Sequence, residues 1–459
     1  MNLKPLAFLL LAALDPALGA AATNLPGQSP GDTNPILPGY FADPSLVTDG
    51  GKHFLFATLD PWGDKTLGCW ESEDFKSWKY HVLNWPTKAA CTSPTSKKSM
   101  VWAPSVVRAI NGKFYMYVSV GSEVWVGNAD APAGPWHDAH GGRPLIPADF
   151  KPGFHMIDAE AFIDTDGQAY LYWGSGLEWI NGKCWVVKLK PDMVTFDGEV
   201  REVTPANYFE APFLFKRAGR YHLMYSSGKT TSDSYQVHVA TADNPFGPFQ
   251  ETASSPILVT NIDNNVRSPG HHAIFEKDEK TYILYHRHNI PFDGRFVGRQ
   301  TCVDELTFAA DGNILKVTPT HSGPPLVRRL PAGKQAAATA SASGNRTPAT
   351  GPQRAVDNNF ATLWAAAPGQ KESWLQLDFP EPLGFTSHQL RFEYPWKEYR
   401  FRLESSEDGR NWKILADHSR EPVTGSPVVL QAPGKAAHVR LVFPAGAGPT
   451  PALFEWQID

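Results

Sequence analysis

The chain contains few cysteines and no excess of positive charge. Its four cysteines, Cys69, Cys91, Cys184 and Cys302, are too few for a disulfide framework in 459 residues, and none lies in a zinc-type spacing. Cys69 and Cys91 could still pair in an oxidising compartment. The formal net charge of −5 lacks the basic stripe of a nucleic-acid-binding protein, so we expect no nucleic-acid partner.

Apolar runs long enough to span a membrane as a helix are also missing. The short run Leu6–Leu14 follows Lys4 and precedes small residues from Ala17 to Ala22. This order is typical of a secretory signal peptide. We therefore predict a signal peptide over residues 1–22, a secreted or periplasmic protein, and no membrane span.

Aromatic residues and turn formers are abundant instead. The chain has 15 Trp, 26 Phe and 14 Tyr, together with 38 Gly and 40 Pro. This composition favours many short strands over long helices. A length of 459 residues also indicates two or more domains.

A repeat occupies residues 33 to about 325. Each copy starts with a polar or small residue and an apolar strand, turns, and returns as an aromatic-rich strand eleven residues after its first position. Four of the five turns contain a glycine, whereas the last is Asp278-Glu279. Each period has room for about four strands, which is one blade of a β-propeller. A plain β-sandwich would give no reason for five copies with one internal offset.

The first positions of the repeats are expected to meet on one axis, because the first strand of each blade lines the central channel of a propeller. Burial and mutual repulsion penalise several carboxylates at one place, so function explains them better than folding does. A lone Asp at a strand start is usually only a turn cap. Glycoside hydrolysis, however, needs an acid for the leaving oxygen and a carboxylate for water or carbon. The five first positions are Asp43, Ala103, Asp158, Glu210 and His271.

These segments resemble glycoside hydrolase family 43. The resemblance implies a five-bladed β-propeller over residues 33–328 and an inverting mechanism. Family 32 fructan hydrolases are a less suitable match, because their Asn-Asp-Pro-Asn and Arg-Asp-Pro motifs are absent. The matching motifs are Ala42-Asp43-Pro44-Ser45, Trp102-Ala103-Pro104-Ser105, Ile157-Asp158-Ala159-Glu160, Phe209-Glu210-Ala211-Pro212 and Pro269-Gly270-His271-His272.

The resemblance also implies roles for single residues. Asp43 would be the general base, Glu210 the general acid, and Asp158 the group that tunes the pKa of the acid and orients it. His271 matches a histidine associated with a structural ion on the axis, often calcium, usually through water; no organic cofactor is expected. A lone histidine could be a core residue, a hydrogen-bond donor or an ion ligand, and the repeat position of His271 favours a role on the axis. Trp102 and Arg299 match residues that hold the sugar, with core packing and a surface ion pair as the alternatives.

The substrate expected from the resemblance is an oligo- or polysaccharide of plant type. We predict an exo-acting enzyme that releases terminal α-L-arabinofuranosyl residues, because strand motifs such as Val118–Trp125 are most similar to the exo-acting arabinofuranosidases of the family. A β-xylosidase or a bifunctional enzyme is the alternative, because arabinofuranose and xylopyranose have similar hydroxyl patterns. A propeller lectin without catalysis is the alternative of another class, although a lectin has no need of an acid and base pair.

The C-terminal part differs in composition. Residues 329–340, rich in Ala and Thr, are predicted to be a linker. Residues 341–459 resemble a discoidin-like (factor 5/8 type C) β-sandwich in segments 355–359, 362–364, 374–379 and 404–412. Such domains often bind carbohydrate, so glycan binding and a purely structural packing role both remain open.

Overall fold

The computed structural model describes residues 27–290, 292, 296–329, 333–446 and 448–459. The predicted signal peptide, residues 1–22, lies outside this range and stays a prediction. Among the described residues, no helix combines the length and apolarity that crossing a bilayer requires.

The fold is all-β, as predicted: a five-bladed propeller followed by a sheet domain. The described helices are short 3₁₀ turns, at Pro325–Val327, Lys334–Ala337, Pro348–Thr350 and Pro352–Ala355. The propeller strands are β1 (Phe41–Asp49), β2 (Lys52–Leu59), β3 (Gly68–Ser72), β4 (Lys79–His81), β5 (Val101–Arg108), β6 (Phe114–Val120), β7 (Val124–Ala129), β8 (His137–Asp138), β9 (Glu160–Ile163), β10 (Ala169–Trp173), β11 (Trp185–Leu189), β12 (Arg201–Glu202), β13 (Glu210–Arg217), β14 (Arg220–Ser227), β15 (Gln236–Ala242), β16 (Gln250–Glu251), β17 (Gly270–Lys277), β18 (Lys280–His288) and β19 (Arg299–Leu306).

Each blade is an antiparallel sheet whose strands follow one another in chain order. The first four blades are β1–β4, β5–β8, β9–β12 and β13–β16, and the last has the three strands β17–β19. Its outer side is covered by the start of the propeller: the N–H of Ile36 donates to the carbonyl of Thr301 (3.0 Å), and the Asn34 side chain bonds both ways with the backbone of Val303. The ring is thereby closed between its first and last blades.

Apolar cores lie between neighbouring blades. Phe56 of the first blade, for example, shares a cluster with Met116 and Trp125 of the second. Comparable clusters join the second blade to the third, the third to the fourth, the fourth to the fifth, and the fifth to the first. Because strand residues alternate between two faces, each blade contributes one face to each neighbouring core.

The hairpin turn of the fifth blade forms without glycine. Asp278 and Glu279 have φ values of 50° and 62°, close to the 55° and 81° of Gly50 and Gly51 in the first blade. Two consecutive left-handed residues match the right-handed twist of the flanking strands, which is why this turn joins β17 to β18.

The cysteines lie in the cores. All four thiols are free and buried, so Cys69 and Cys91 form no disulfide, although both belong to the cluster between the first two blades. They behave there as small apolar side chains.

The C-terminal domain is built around two long strands, β22 and β25. The sheet runs in the order β21-β26-β22-β25-β23-β24, and β20 pairs with β22. Residues 334–342, which include most of the predicted linker, already pack against this domain as a 3₁₀ turn and β20; the domain boundaries stay a prediction. The strands are β20 (Thr339–Ala342), β21 (Trp364–Ala365), β22 (Glu372–Phe392), β23 (Arg402–Ser406), β24 (Lys413–Asp417), β25 (Val428–Pro444) and β26 (Ala452–Ile458).

The two domains are joined by direct contacts. Tyr40 of the propeller packs edge-on against Phe454 of the C-terminal domain, with 5.7 Å between the ring centroids. The side chain of Gln300 donates to the carbonyl of Phe360 (3.2 Å), and the N–H of Gly31 donates to that of Asp357 (2.9 Å).

Candidate active site

A left-handed residue lies within the inner strand of four blades and two residues before the inner strand of the third. These residues have φ values between 39° and 58°, which cost energy in any residue with a side chain. The pairing register shifts at the same point in the first, second, fourth and fifth blades, as in a β-bulge. The bulge residues are Asp43, Ala103, Asp158, Ala211 and His271.

The fourth blade departs from the predicted register by one residue. Glu210 pairs with Ser226 immediately before the bulge, as Ala42 pairs with Thr58 in the first blade, and Ala211 is the left-handed residue. The expectation that Glu210 is equivalent to Asp43 was therefore wrong by one position. Glu210 corresponds instead to Trp102, and both positions reach the central cavity because the bulge turns the strand there.

The bulges are held by side chains of the preceding blade. In four of the five steps around the ring, the second strand presents a hydroxyl or imidazole opposite the residue before its own bulge, and this group accepts the N–H of the next bulge residue. The pairs are Thr58 with Ala103 (2.7 Å), Ser119 with Asp158 (3.0 Å), Ser226 with His271 (3.0 Å) and His286 with Asp43 (3.3 Å).

The remaining step differs, because the third blade has Gly174 at this place. A Cβ on Gly174 would lie 2.4 Å from the carbonyl oxygen of Lys183, and its φ is 119°, so no other residue fits. Here the backbone of Ala211 lies beside the carboxylate of Asp158 and favours its ionised form. An acidic side chain of the site therefore lies next to the bulge of the fourth blade.

A cavity of about 350 Å³ opens at the axis, and all six site residues predicted from the sequence line it. This volume lies in the range of small-molecule sites. Its base is buried: Asp43 is 1% and Asp158 5% exposed, whereas Trp62 at the rim is 42% exposed. The lining consists of Asp43, Trp62, Trp102, His155, Ile157, Asp158, Ser175, Gly176, Leu177, Glu178, Trp179, Phe209, Glu210, Thr230, His271 and Arg299.

Asp43 lies in a cationic environment. Its Oδ1 is 2.8 Å from Nη1 of Arg299 and 3.2 Å from Nδ1 of His271, and its Oδ2 accepts the hydroxyl of Thr58 at 2.7 Å. Burial by itself would raise the pKa of Asp43, but Arg299, His271 and His286 outweigh it and hold that pKa well below the usual range. Asp43 is therefore ionised.

Glu210 has neutral partners. The phenol of Tyr235 donates to its Oε1 (2.7 Å) and the hydroxyl of Ser175 to its Oε2 (3.1 Å). Burial raises the pKa of Glu210 to about 7, even though both hydroxyls favour the carboxylate. The group is half-buried, closer to solvent than Asp43, and can carry a proton near neutral pH.

The pKa of Asp158 depends on its burial and on the two other carboxyl groups. Burial, followed by the charges of Glu210 and Asp43, raises its pKa well above the usual range. Its Oδ2 is 3.7 Å from Nδ1 of His271, whose own pKa is lowered by burial. Since the charges of Glu210 and Asp43 both disfavour ionised Asp158, the three carboxyl groups retain a proton between them.

Several site residues were not assigned a role from the sequence. Asp60 binds Arg299 through both carboxylate oxygens, at 2.8 and 2.9 Å, and so fixes the guanidinium against Asp43. Tyr235 and Ser175, the partners of Glu210, and Trp62 at the rim lie outside the repeat motifs. His272, in contrast, is buried and does not line the cavity, because successive residues of a strand face opposite sides.

An ion on the axis would need ligands from the side chains that line it. No group of three or more His, Cys, Asp or Glu within the described residues forms a ligand set. Nδ1 of His271 faces the Asp43 and Asp158 carboxylates, and Arg299 already neutralises Asp43. Direct coordination by these side chains therefore does not fit.

Comparison with known proteins assigns both parts of the chain. The model of glycosyl hydrolases family 43 matches residues 32–314, and that of the F5/8 type C domain matches residues 337–455. A solved structure described as a glycoside hydrolase superposes with a TM-score of 0.78 at 28% identity, covering 94% of this chain and 100% of that one.

Curated relatives resemble mainly the propeller. A β-D-galactofuranosidase of Aspergillus niger is 34% identical over 306 residues, which are 63% of this chain and 86% of that protein. An arabinoxylan arabinofuranohydrolase of Bacillus subtilis is 26% identical over 370 residues, 69% of this chain and 70% of its own length.

Proposed function

Since the chain belongs to glycosyl hydrolase family 43, we propose that it is an inverting α-L-arabinofuranosidase. It is an exo-acting glycoside hydrolase whose substrate is a carbohydrate. The observation that carries the proposed mechanism is one cavity with two carboxyl groups of opposite protonation tendency, Asp43 and Glu210.

The shape of the cavity agrees with cleavage at a chain end. Its base is formed by buried carboxyl groups and its rim by exposed side chains such as Trp62 and Leu177, which are 42% and 45% exposed. A terminal sugar would fill the base, and the rest of the substrate would leave past the rim. A cleft open at both sides would be needed to bind the middle of a polysaccharide.

The chemistry proposed for the site is a single displacement. Glu210 donates its proton to the glycosidic oxygen as the bond from that oxygen to the anomeric carbon breaks. Asp43 accepts a proton from a water molecule whose oxygen bonds to the anomeric carbon from the opposite face, so the product has inverted configuration. Asp158 keeps the local negative charge low and orients the acid side of the cavity from its place beside the Ala211 backbone, with its Oδ2 3.7 Å from Nδ1 of His271.

Trp102 and Arg299 complete the proposed sugar site. Trp102 is a half-buried ring in the cavity wall, where it can stack on the apolar face of a sugar. The guanidinium of Arg299 is held by Asp60 and Asp43, so it would meet the substrate in a fixed orientation.

A β-D-galactofuranosidase is the second candidate, because the relative from Aspergillus niger is 34% identical. The rings of α-L-arabinofuranose and β-D-galactofuranose have the same configuration and differ by one exocyclic carbinol group. The β-xylosidase alternative requires a six-membered ring in the same cavity.

A panel of p-nitrophenyl glycosides separates these functions. We expect the highest kcat/KM on the α-L-arabinofuranoside and an inverted product anomer by NMR at early time points. Preference for the β-D-galactofuranoside would establish the second candidate, and preference for the β-D-xylopyranoside the third. A product of retained configuration would contradict the roles of Asp43 and Glu210.

We also propose an ion on the axis and a secreted or periplasmic location. An axial ion would be bound by His271 through water, and elemental analysis of the purified protein tests for it; no step above uses it. Secretion or a periplasmic location rests on residues 1–22, and the N-terminal sequence of the exported protein tests it.

A further inference from the structure

We propose that the C-terminal domain shapes the substrate cavity through one contact, the hydrogen bond from Trp396 to Asp64. The indole Nε1 of Trp396 donates to Oδ2 of Asp64 at 2.9 Å. Trp396 lies in the loop between β22 and β23, and Asp64 in the segment that follows β2 of the propeller. The inference rests on the proposed function only in taking the cavity as the substrate site, whatever the sugar.

Asp64 ends a short segment that carries a wall of the cavity. Trp62, two residues earlier, lines the cavity, and its N–H donates to Oδ1 of Asp60 at 3.1 Å. The guanidinium of Arg299 lies 5.4 Å from the centroid of the Trp62 ring. Trp62 is 42% exposed and has a φ of 61°, so few contacts of its own fix this ring.

Asp64 also bonds to the strand that carries Trp102, the second aromatic residue of the cavity. Its carbonyl accepts the N–H of Val101 (3.0 Å), the residue before Trp102. A displacement of Asp64 therefore moves the backbone that carries Trp62 and disturbs the start of the strand that carries Trp102. One hydrogen bond from the other domain thus reaches both rings.

Trp396 is well placed to hold this segment, because its ring is fixed on the propeller. It packs edge-on against Phe41 at 6.0 Å and against Tyr394 at 5.4 Å, and it joins the core between the fifth and first blades. The neighbouring Pro395 accepts the N–H of Gly425 (2.7 Å), which ties the loop to its own domain.

A second contact supports the other end of the same segment. Tyr40, which packs on Phe454 of the C-terminal domain, accepts the N–H of Asp60 with its carbonyl at 3.1 Å. Asp60 in turn binds Arg299 through both of its carboxylate oxygens. The segment 60–64 is therefore held at both ends by residues that contact the C-terminal domain.

The consequence is a positioning role for Trp396 and Asp64 rather than contact with substrate. Losing the bond should weaken substrate binding and leave the chemical step, carried out at the base of the cavity, almost unchanged. A domain that only binds distant glycan would not influence a small aryl glycoside at all.

The test uses the full-length protein and the aryl glycoside that the parent hydrolyses best. Trp396→Phe keeps the ring and removes the donor; Asp64→Ala removes the acceptor; Asp64→Asn keeps an acceptor oxygen. We expect the first two to raise KM by about 3- to 10-fold with kcat within about two-fold, and Asp64→Asn to stay close to the parent. The double variant should be no worse than Asp64→Ala, because Trp396→Phe removes only a bond that Asp64→Ala removes as well. Asp64→Ala also removes the bond that Oδ1 of Asp64 accepts from the N–H of Lys65 (2.7 Å), so Trp396→Phe is the cleaner variant.

Hydrogen–deuterium exchange over residues 60–66 gives a readout that needs no activity. Exchange should be faster in Trp396→Phe and Asp64→Ala and unchanged in the matched control Trp412→Phe, whose ring packs on Arg440 (3.8 Å) within the C-terminal domain. Unchanged exchange, or unchanged KM in both variants of an active parent, overturns the inference. A parent inactive on every glycoside refutes the proposed function instead, while the exchange data still decide this contact.

Discussion

The first and fourth blades place a carboxyl group at nearly the same point of the same bulge, and the two groups differ in protonation. Asp43 occupies the left-handed position and faces Arg299, His271 and His286, whereas Glu210 precedes that position and faces two hydroxyls. Arg299, followed by His271 and His286, lowers the pKa of the first group against the effect of burial, and burial raises that of the second. A pseudo-symmetric ring therefore yields a base and an acid because its neighbouring side chains are not symmetric.

The largest effect should come from neutralising each group in turn. We expect Asp43→Asn and Glu210→Gln each to lower kcat/KM about 10³-fold, within the range of general acid–base catalysis. The loss in Glu210→Gln should shrink on a 2,4-dinitrophenyl glycoside, whose leaving group needs no proton, whereas the loss in Asp43→Asn should not. Steady-state kinetics on both leaving groups check this, and the reverse pattern would exchange the two roles.

Removing the cation beside Asp43 should make the first blade more like the fourth. Arg299→Met should lower kcat/KM about 10- to 100-fold, the value of a charged hydrogen bond. The pKa of Asp43 should rise, because the partner that lowers it most is lost, and an acidic limb should then enter the measurable pH profile. Arg299→Lys keeps the charge and should shift the limb less. A Met variant that loses activity with no new limb would argue against this electrostatic role.

In the fourth blade, the pKa of Glu210 can also be changed by removing a partner, and the expected effect on the pH profile is smaller. Activity requires protonated Glu210, so kcat/KM should be level at mildly acidic pH and fall as pH rises through about 7. Tyr235 favours the carboxylate form, so Tyr235→Phe should raise the pKa of Glu210 and move this basic limb upward by about half a unit to one unit. Ser175→Ala, at the longer bond, should move it less. A downward shift would contradict the assignment.

The smallest effect concerns the shared scaffold of the two blades. Ser119→Ala and Ser226→Ala each remove the acceptor of a bulge N–H and should lower the free energy of unfolding by about 1 kcal/mol without moving the basic limb of the pH profile. Urea unfolding measures this, with the exposed Thr95→Ala as the control. A loss no greater than that of the control would show that these bonds do not hold the bulges.

Sequence patterns located the acidic residues but not their register. Asp43, Asp158 and Glu210 were found because repeats place equivalent residues around one axis. The one-residue offset of Glu210 was not predicted, because a bulge changes the pairing of two strands without changing their apolar pattern. The spacing of eleven residues between the two strands of a repeat is also the same with or without the offset. The sequence likewise did not show why position 174 must be a glycine, because the reason is the nearby carbonyl of Lys183.

The sequence alone determined the blade count, the all-β architecture and the acidic character of the axis, because repetition and strand periodicity are local properties of a chain. Only the tertiary structure decided which partner each acid meets: Arg299 lies 256 positions from Asp43, and Trp396 lies 332 from Asp64. Protonation depends on those partners and on burial. Neither can be read from the sequence, because these residues become neighbours only when the chain folds.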